Sequence, residues 1–345
     1  MQKLHKEILS KEFPSSLNIF REHTGDIIEY VNILFRSAEV AKSRKIKEGF
    51  LYLIDIILGY YLTQYQFFQL SLSSMKEKEL WNALENLLKY LADQLNLRTT
   101  PMPILGDDYY STGSFMYFRE LSSFAPRLKT EYYFIAVDYL DLPLFWPLVA
   151  HEIAHCWLSE TRYVDEACAL EVAQEIKKET GKSLENKIEE VLCDLVATKI
   201  FGSAYPWAYI TRLWLHLNGK DFNTHPSHSF RIECMCSQLE NMGMYPAAEK
   251  IRALRDERVK EGWQREVIWQ LKEYLIGLSD EFPSIADREH YVKSLSIVKR
   301  VFTSPPEDPV LLFMTCWNHL QLSNLINLEK ALPKYTSVIL KVLRG

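Results

Sequence analysis

The sequence predicts a mainly α protein of the α+β class, with one small β-sheet. Three observations carry this. Glycine is scarce, 12 in 345 residues, and long stretches pass from one helix former to the next. Apolar residues recur at three- and four-residue steps through most of the chain, the period of an amphipathic helix. A single segment, EYYFIAVDY at 131–139, is short, aromatic and β-branched enough to read as a strand.

A length of 345 residues implies more than one structural unit. Composition shifts divide the chain into an N-terminal helical region 1–100, a central region 101–260 and a C-terminal helical region 261–345. Hydrophobic residues at 48% and charged residues at 25% are an ordinary globular balance. The net charge of −5 supplies no basic field, so nucleic acid is not an expected partner. The cluster Lys42, Arg44, Lys45 and Lys47 has no interleaved aromatics and reads as a solvated helix end. The first residues, MQKLHKEILSKEF, contain no apolar leader. None of the six cysteines forms CxxC, which suits reduced, buried thiols. A cytoplasmic location is the resulting expectation.

In chain order, 16–98 reads as three long helices. Within them FLYLIDIILGYYLTQYQFFQLSL, 50–72, is long enough to span a bilayer. Asp55, Gln64, Gln66 and Gln69 interrupt it, and a central Asp alone costs about 3 kcal/mol on insertion scales; no membrane span is expected. The stretch 99–114, with two prolines and two glycines, reads as a loop and a boundary. The strand at 131–139 follows, then a helix opening at Asp141-Leu-Pro143, with Pro147 tolerated in its first turn. This places the small sheet beside that helix. Further helices are expected at 162–180, 184–202, 206–217, 228–242 and 245–257. The tail is helical again, broken by TSPPEDP at 303–309.

The helix after the strand carries PLVAHEIAHCWL, 147–158. Residues four apart on an α-helix share a face about 6 Å apart along the axis. His151 and His155 can therefore offer two imidazole nitrogens to one ion. Glu152 sits about 100° round the helix, near enough to take a proton from a water on that ion. The uncharged flanks Leu148, Val149, Ala150, Ile153, Ala154, Cys156 and Trp157 suit a buried ligand helix. Leu158 and Thr161 stand where the longer metzincin spacing requires Gly and His, which excludes that class. A third ligand is available downstream in KIEEVLCDLVATKIFG, 187–202. Glu190 and Asp194 share a face there, among apolar neighbours. Glu190 suits a metal ligand, and Asp194 an acceptor for a ligand histidine's second nitrogen. Glu189 points about 100° away and is expected to face solvent.

H-E-x-x-H followed by E-x-x-x-D on a later helix resembles the gluzincin group of zinc metallopeptidases. NTHPSHSFRI, 223–232, is similar to the T-H-P-P-x-x-x-R-I segment of the HtpX-type and prenyl-protease-type members, with Ser227 in place of their second proline and without their membrane spans. The likeness covers about 147–232. It implies a zincin-like metallopeptidase core within 101–260, with Zn2+ held by His151, His155 and Glu190, Asp194 behind them, and Glu152 as general base. The substrate implied is a peptide or protein, cleaved at a peptide bond. Arg231 and His225 are the candidates to stabilise the oxyanion, with Tyr205 and Tyr209 less well placed. The long helical flanks suit a selective enzyme that acts on a particular protein or is held in check by a regulatory partner. The alternative is a zinc-binding regulatory protein whose site is structural or inactive.

Overall fold

Leu80, Leu84, Leu87, Leu88 and Leu91 form one stripe, and all are buried. That pattern is the rule in this chain, which folds into helices wherever an apolar face recurs every three to four residues. The computed structural model describes residues 15–74, 78–98, 101–105, 134–137, 140–161, 184–215, 225–258, 268, 271–322 and 328–344. The expected helix at 162–180, most of the 99–114 loop and Cys168 lie outside these residues. Two compact units are present, Met1–Glu77 with Pro101–Asp138, and Lys78–Thr100 with Tyr139–Gly345.

The first unit holds helices α1 (Ser15–Val40) and α2 (Arg44–Ser74), which pack on one another. Ile27, Val31, Leu34 and Ala38 of α1 and Ile54 and Ile57 of α2 are buried, at helical spacing. Strands β1 (Met102–Leu105) and β2 (Phe134–Val137) pair in parallel, Met102 opposite Phe134, and β1 packs against α2. The two strands belong to the first unit, and the described residues of the second unit contain no strand. Among the described residues no helix is long and apolar enough to cross a membrane.

The second unit is helical. Helix α3 (Lys78–Gln94) buries its leucine stripe against α12 (Leu328–Leu343) and α4 (Val149–Thr161). The chain enters α4 through a 3-10 turn at Pro143–Leu148. Pro147 has no N–H to bond the Pro143 carbonyl, so the α-helix expected from 143 begins six residues later, at Val149. Trp317 of α11 (Pro309–Leu322) fixes this turn by donating from its indole nitrogen to the Leu144 carbonyl at 3.1 Å.

Helix α5 (Glu185–Phe201) packs along α4. Gly202 ends it at φ +54°, a conformation glycine adopts without steric cost, and donates to the Thr198 carbonyl at 2.7 Å. The Lys199 carbonyl accepts from the backbone of Ile285 and Ala286, and its ammonium donates to the Ser279 carbonyl at 2.7 Å. The end of α5 is thus tied to the segment before α10 (Arg288–Ile297), leaving no orphan groups at Lys199. Helix α6 (Ala204–Leu215) follows at once.

Helix α7 (His228–Asn241) is capped by Ser227, whose hydroxyl accepts from the Phe230 amide at 3.3 Å. Alongside lie α8 (Tyr245–Arg258) and α9 (Lys272–Leu278). Glu233 of α7 takes both Arg252 and Arg255 of α8. Burial would raise the Glu233 pKa, but hydrogen bonds from the two guanidiniums and their charges outweigh it and hold it low.

Two predictions follow from these ties. A Cβ at position 202 would lie 3.0 Å from Met314 Cε and 3.2 Å from Ala286 Cβ; Gly202→Ala should cost about 1–3 kcal/mol in urea unfolding. Because the folded-state pKa of Glu233 is depressed, its contribution is present above the ordinary carboxylate range and is lost as pH falls through it. Glu233→Gln should therefore lower stability by about 1–3 kcal/mol at neutral pH, and the difference from wild type should shrink below about pH 4. Denaturation curves across pH read both quantities.

Candidate metal centre

His151 and His155 project from α4 toward α5, their ring centroids 4.9 Å apart and the rings nearly perpendicular. His151 is buried, as is Glu152 on the same helix, at 4% exposure. The Nε2 atoms of both histidines turn to Glu190. Oε2 lies 3.2 Å from His151 Nε2, and Oε1 lies 3.6 Å from His155 Nε2. His225 brings a third Nε2 to the same carboxylate, 3.3 Å from Oε2.

The other nitrogen of each of these two histidines is also taken by a carboxylate. His151 Nδ1 is 3.0 Å from Asp194 Oδ1, and His155 Nδ1 is 2.8 Å from Glu189 Oε1. An ionised carboxylate can only accept, so each Nδ1 carries a proton, and the Glu190 oxygen 3.2 Å from His151 Nε2 calls for a proton on that nitrogen too. A carboxylate on Nδ1 orients an imidazole so that Nε2, once deprotonated, can bind a cation.

Asp194 is the most heavily used group in the site. It is fully buried and accepts from His151, from the Tyr205 hydroxyl at 2.5 Å, from Arg231 Nε at 2.6 Å and from an Arg231 terminal nitrogen at 2.9 Å. Burial would raise its pKa, but the charge of Arg231 and these hydrogen bonds hold it below the usual carboxylate range. Glu190 behaves alike: hydrogen bonds from His151 and His225, with the charges of His151 and Arg231, outweigh burial and hold it low. At His151 burial works downward, and the hydrogen bonds to Asp194 and Glu190 outweigh it, leaving the pKa raised to about 10. A carboxylate 3.2 Å from Nε2 is satisfied by a proton on that nitrogen or by a cation lying between the two.

Two residues stand differently from their sequence-based expectation. Glu189, expected to face solvent, holds His155 instead. The angle round one helix misled because two neighbouring positions of α5 reach different histidines, Glu190 the Nε2 side of both and Glu189 the Nδ1 of His155. Arg231, expected to face a developing oxyanion, is 6% exposed and forks onto Asp194, with its terminal nitrogen 3.6 Å from Glu190. Its guanidinium lies 5.0 Å from the centroid of the Tyr209 ring. Tyr205 is likewise turned to Asp194, and Tyr209 hydrogen-bonds His228 Nδ1 at 2.8 Å. His225, its side chain 32% exposed, is the most open of the three histidines around Glu190.

Cys193 is the residue that sequence reasoning passed over. Its sulfur and a ring nitrogen of each of His151 and His155 all lie within 4.8 Å of one another, so the three form a group that could hold a metal ion. That group omits Glu190, although the Glu190 oxygens approach both Nε2 atoms closely. As placed, the carboxylate is the readier ligand: it is ionised, whereas burial and then the nearby carboxylates push the Cys193 thiol well above its ordinary pKa. The signal for both missed groups was in the spacing. Cys193 stands four residues after Glu189 and three after Glu190, one helical turn from each. Comparison of the chain with known families, curated proteins and solved structures finds no match.

Removing the charge of Asp194 should loosen His151 and leave Arg231 only its longer contact with the Glu190 carboxylate. Asp194→Asn is expected to weaken metal affinity about 10–100-fold, read by competition with a chelator. Arg231→Met leaves Asp194 buried without its cation, and should cost about 3–5 kcal/mol in thermal or urea unfolding.

Proposed function

We propose that the chain is a zinc-dependent metallopeptidase of the gluzincin type, with a zincin-like core built on α4 and α5. The observation that carries the reading is the convergence of His151 Nε2 and His155 Nε2 on Glu190 while each Nδ1 is held by its own carboxylate. Two imidazoles and one carboxylate are a common donor set for catalytic zinc, which keeps a fourth position open. In this reading His151, His155 and Glu190 hold the ion.

Bound there, zinc supplies Lewis acidity, acidifying a water molecule and polarising a carbonyl. The remaining work falls to the chain. Glu152, buried on the same helix as the two histidines, takes the proton from the attacking water on its carboxylate and returns it to the departing amine nitrogen. Asp194 and Glu189 orient the histidines, and Arg231 and Tyr205 hold Asp194 in place. His225 is the group best placed to donate to the oxyanion, because it reaches Glu190 from the more open side. The substrate proposed is a peptide or protein, and the setting a cytoplasmic one.

Metal analysis together with peptide hydrolysis tests the proposal. Purified protein should carry about one zinc per chain, and His151→Ala should lose it. Glu152→Gln should keep the zinc and lose hydrolysis of an unstructured protein or peptide library by at least about 100-fold. Zinc bound with Glu152→Gln as active as wild type would favour a regulatory zinc protein. Protein that neither contains nor takes up metal would remove the basis of the reading.

A further inference from the structure

Cys193 has no part in the mechanism above, and its position is not that of an ordinary core thiol. It is fully buried on α5, one residue before Asp194, with its sulfur within 4.8 Å of ring nitrogens of both motif histidines. Cys156, Cys234, Cys236 and Cys316 are also free and buried. Among the described residues none of these four belongs to a group of His, Cys, Asp and Glu close enough to share an ion. Cys156 is on the motif helix itself, yet it hydrogen-bonds back to the Glu152 carbonyl at 3.4 Å.

We propose that Cys193 is a fourth protein ligand, closing the shell of the ion held by His151, His155 and Glu190 in the resting protein. This rests on the metallopeptidase reading of the same site. Glu190 and Cys193 project from one rigid helix three residues apart, about 4.5 Å along its axis. A carboxylate and a thiolate are thereby offered to the same two imidazoles. Zinc accepts both kinds of donor, at about 2.0–2.2 Å and 2.3 Å. Nitrogen and sulfur ligands of a tetrahedral ion lie about 3.5 Å apart. The sulfur and the two ring nitrogens start within 4.8 Å of one another, so bringing the sulfur to ligand distance of these imidazole partners asks for a side-chain movement on the order of 1 Å.

The consequence is a latch. Three protein ligands leave a position for water and four do not. Coordination by Cys193 would release its sulfhydryl proton to solvent. Withdrawal would return a proton to the sulfur and leave three protein ligands, the number that keeps a zinc site open. No electron is exchanged in either direction.

Cobalt(II), bound to metal-stripped full-length protein, is the probe. Wild type should bind it stoichiometrically and show a thiolate-to-cobalt charge-transfer band in the near ultraviolet. Cys193→Ala should retain cobalt on the other three ligands and lose the band, and Cys156→Ala should keep it. Cobalt bound to wild type without the band, or a band that survives Cys193→Ala, overturns the thiolate ligand and leaves the metal centre intact. Wild-type protein that takes up no cobalt overturns the metal centre and this ligand together. X-ray absorption at the cobalt edge needs no variant: one sulfur in the first shell supports the proposal, and a shell of nitrogen and oxygen alone refutes it.

Discussion

The buried carboxylate of Asp194 is the constraint on which the rest of the site depends. Taking an ionised carboxylate out of water costs several kcal/mol unless it is paired and fully hydrogen-bonded. Asp194 meets that condition only by recruiting from four helices. Its own is α5; His151 comes from α4, Tyr205 from α6 and Arg231 from α7. A shift of any one of these helices by a fraction of a turn would strand a charge. One side chain therefore fixes the mutual placement of α4 to α7, and with it the direction in which His151 Nε2 points.

That demand explains features elsewhere in the chain. Arg231 reaches Asp194 from the first turn of α7, so the start of α7 must be well defined. The Ser227 cap defines it. Ser227 is thus the residue that starts the helix, through a side-chain acceptor that satisfies a first-turn amide. Beyond Arg231, Glu233 binds α7 to α8 through two guanidiniums. At its far end α5 is held by Gly202 and by the segment bonded to Lys199. Both helices that supply Asp194 and its cation are therefore anchored to other elements of the second unit.

How much of this the sequence disclosed follows from the range of each interaction. The His151/His155 pair and the Glu190/Asp194 pair are each internal to one helix, where a spacing of four has one geometric meaning, and both could be read directly. The helices themselves were legible for the same reason, including the three N-terminal ones at 15–40, 44–74 and 78–94. What could not be read depends on how one helix crosses another. The partnership of Glu189 with His155, the approach of Cys193 and the turning of Arg231 and Tyr205 onto Asp194 all arise between elements. The strand at 134–137 was legible from its own composition, but its partner, Met102–Leu105, was not, because pairing too is decided between elements.

The charge balance of the site bears on what it was built to hold. Glu189, Glu190 and Asp194 all reach the two imidazoles, and Arg231 offsets one of these three carboxylates. At His151 the hydrogen bonds to Asp194 and Glu190 outweigh burial and hold the pKa at about 10. A core histidine needed only for packing would not be surrounded in this way, because each added carboxylate would carry a desolvation cost with no return in apolar contact. A divalent cation held by His151, His155 and Glu190 would take the place of the second proton on His151 and balance the two carboxylate charges that Arg231 leaves. Without such a cation the arrangement is a costly one for a protein core.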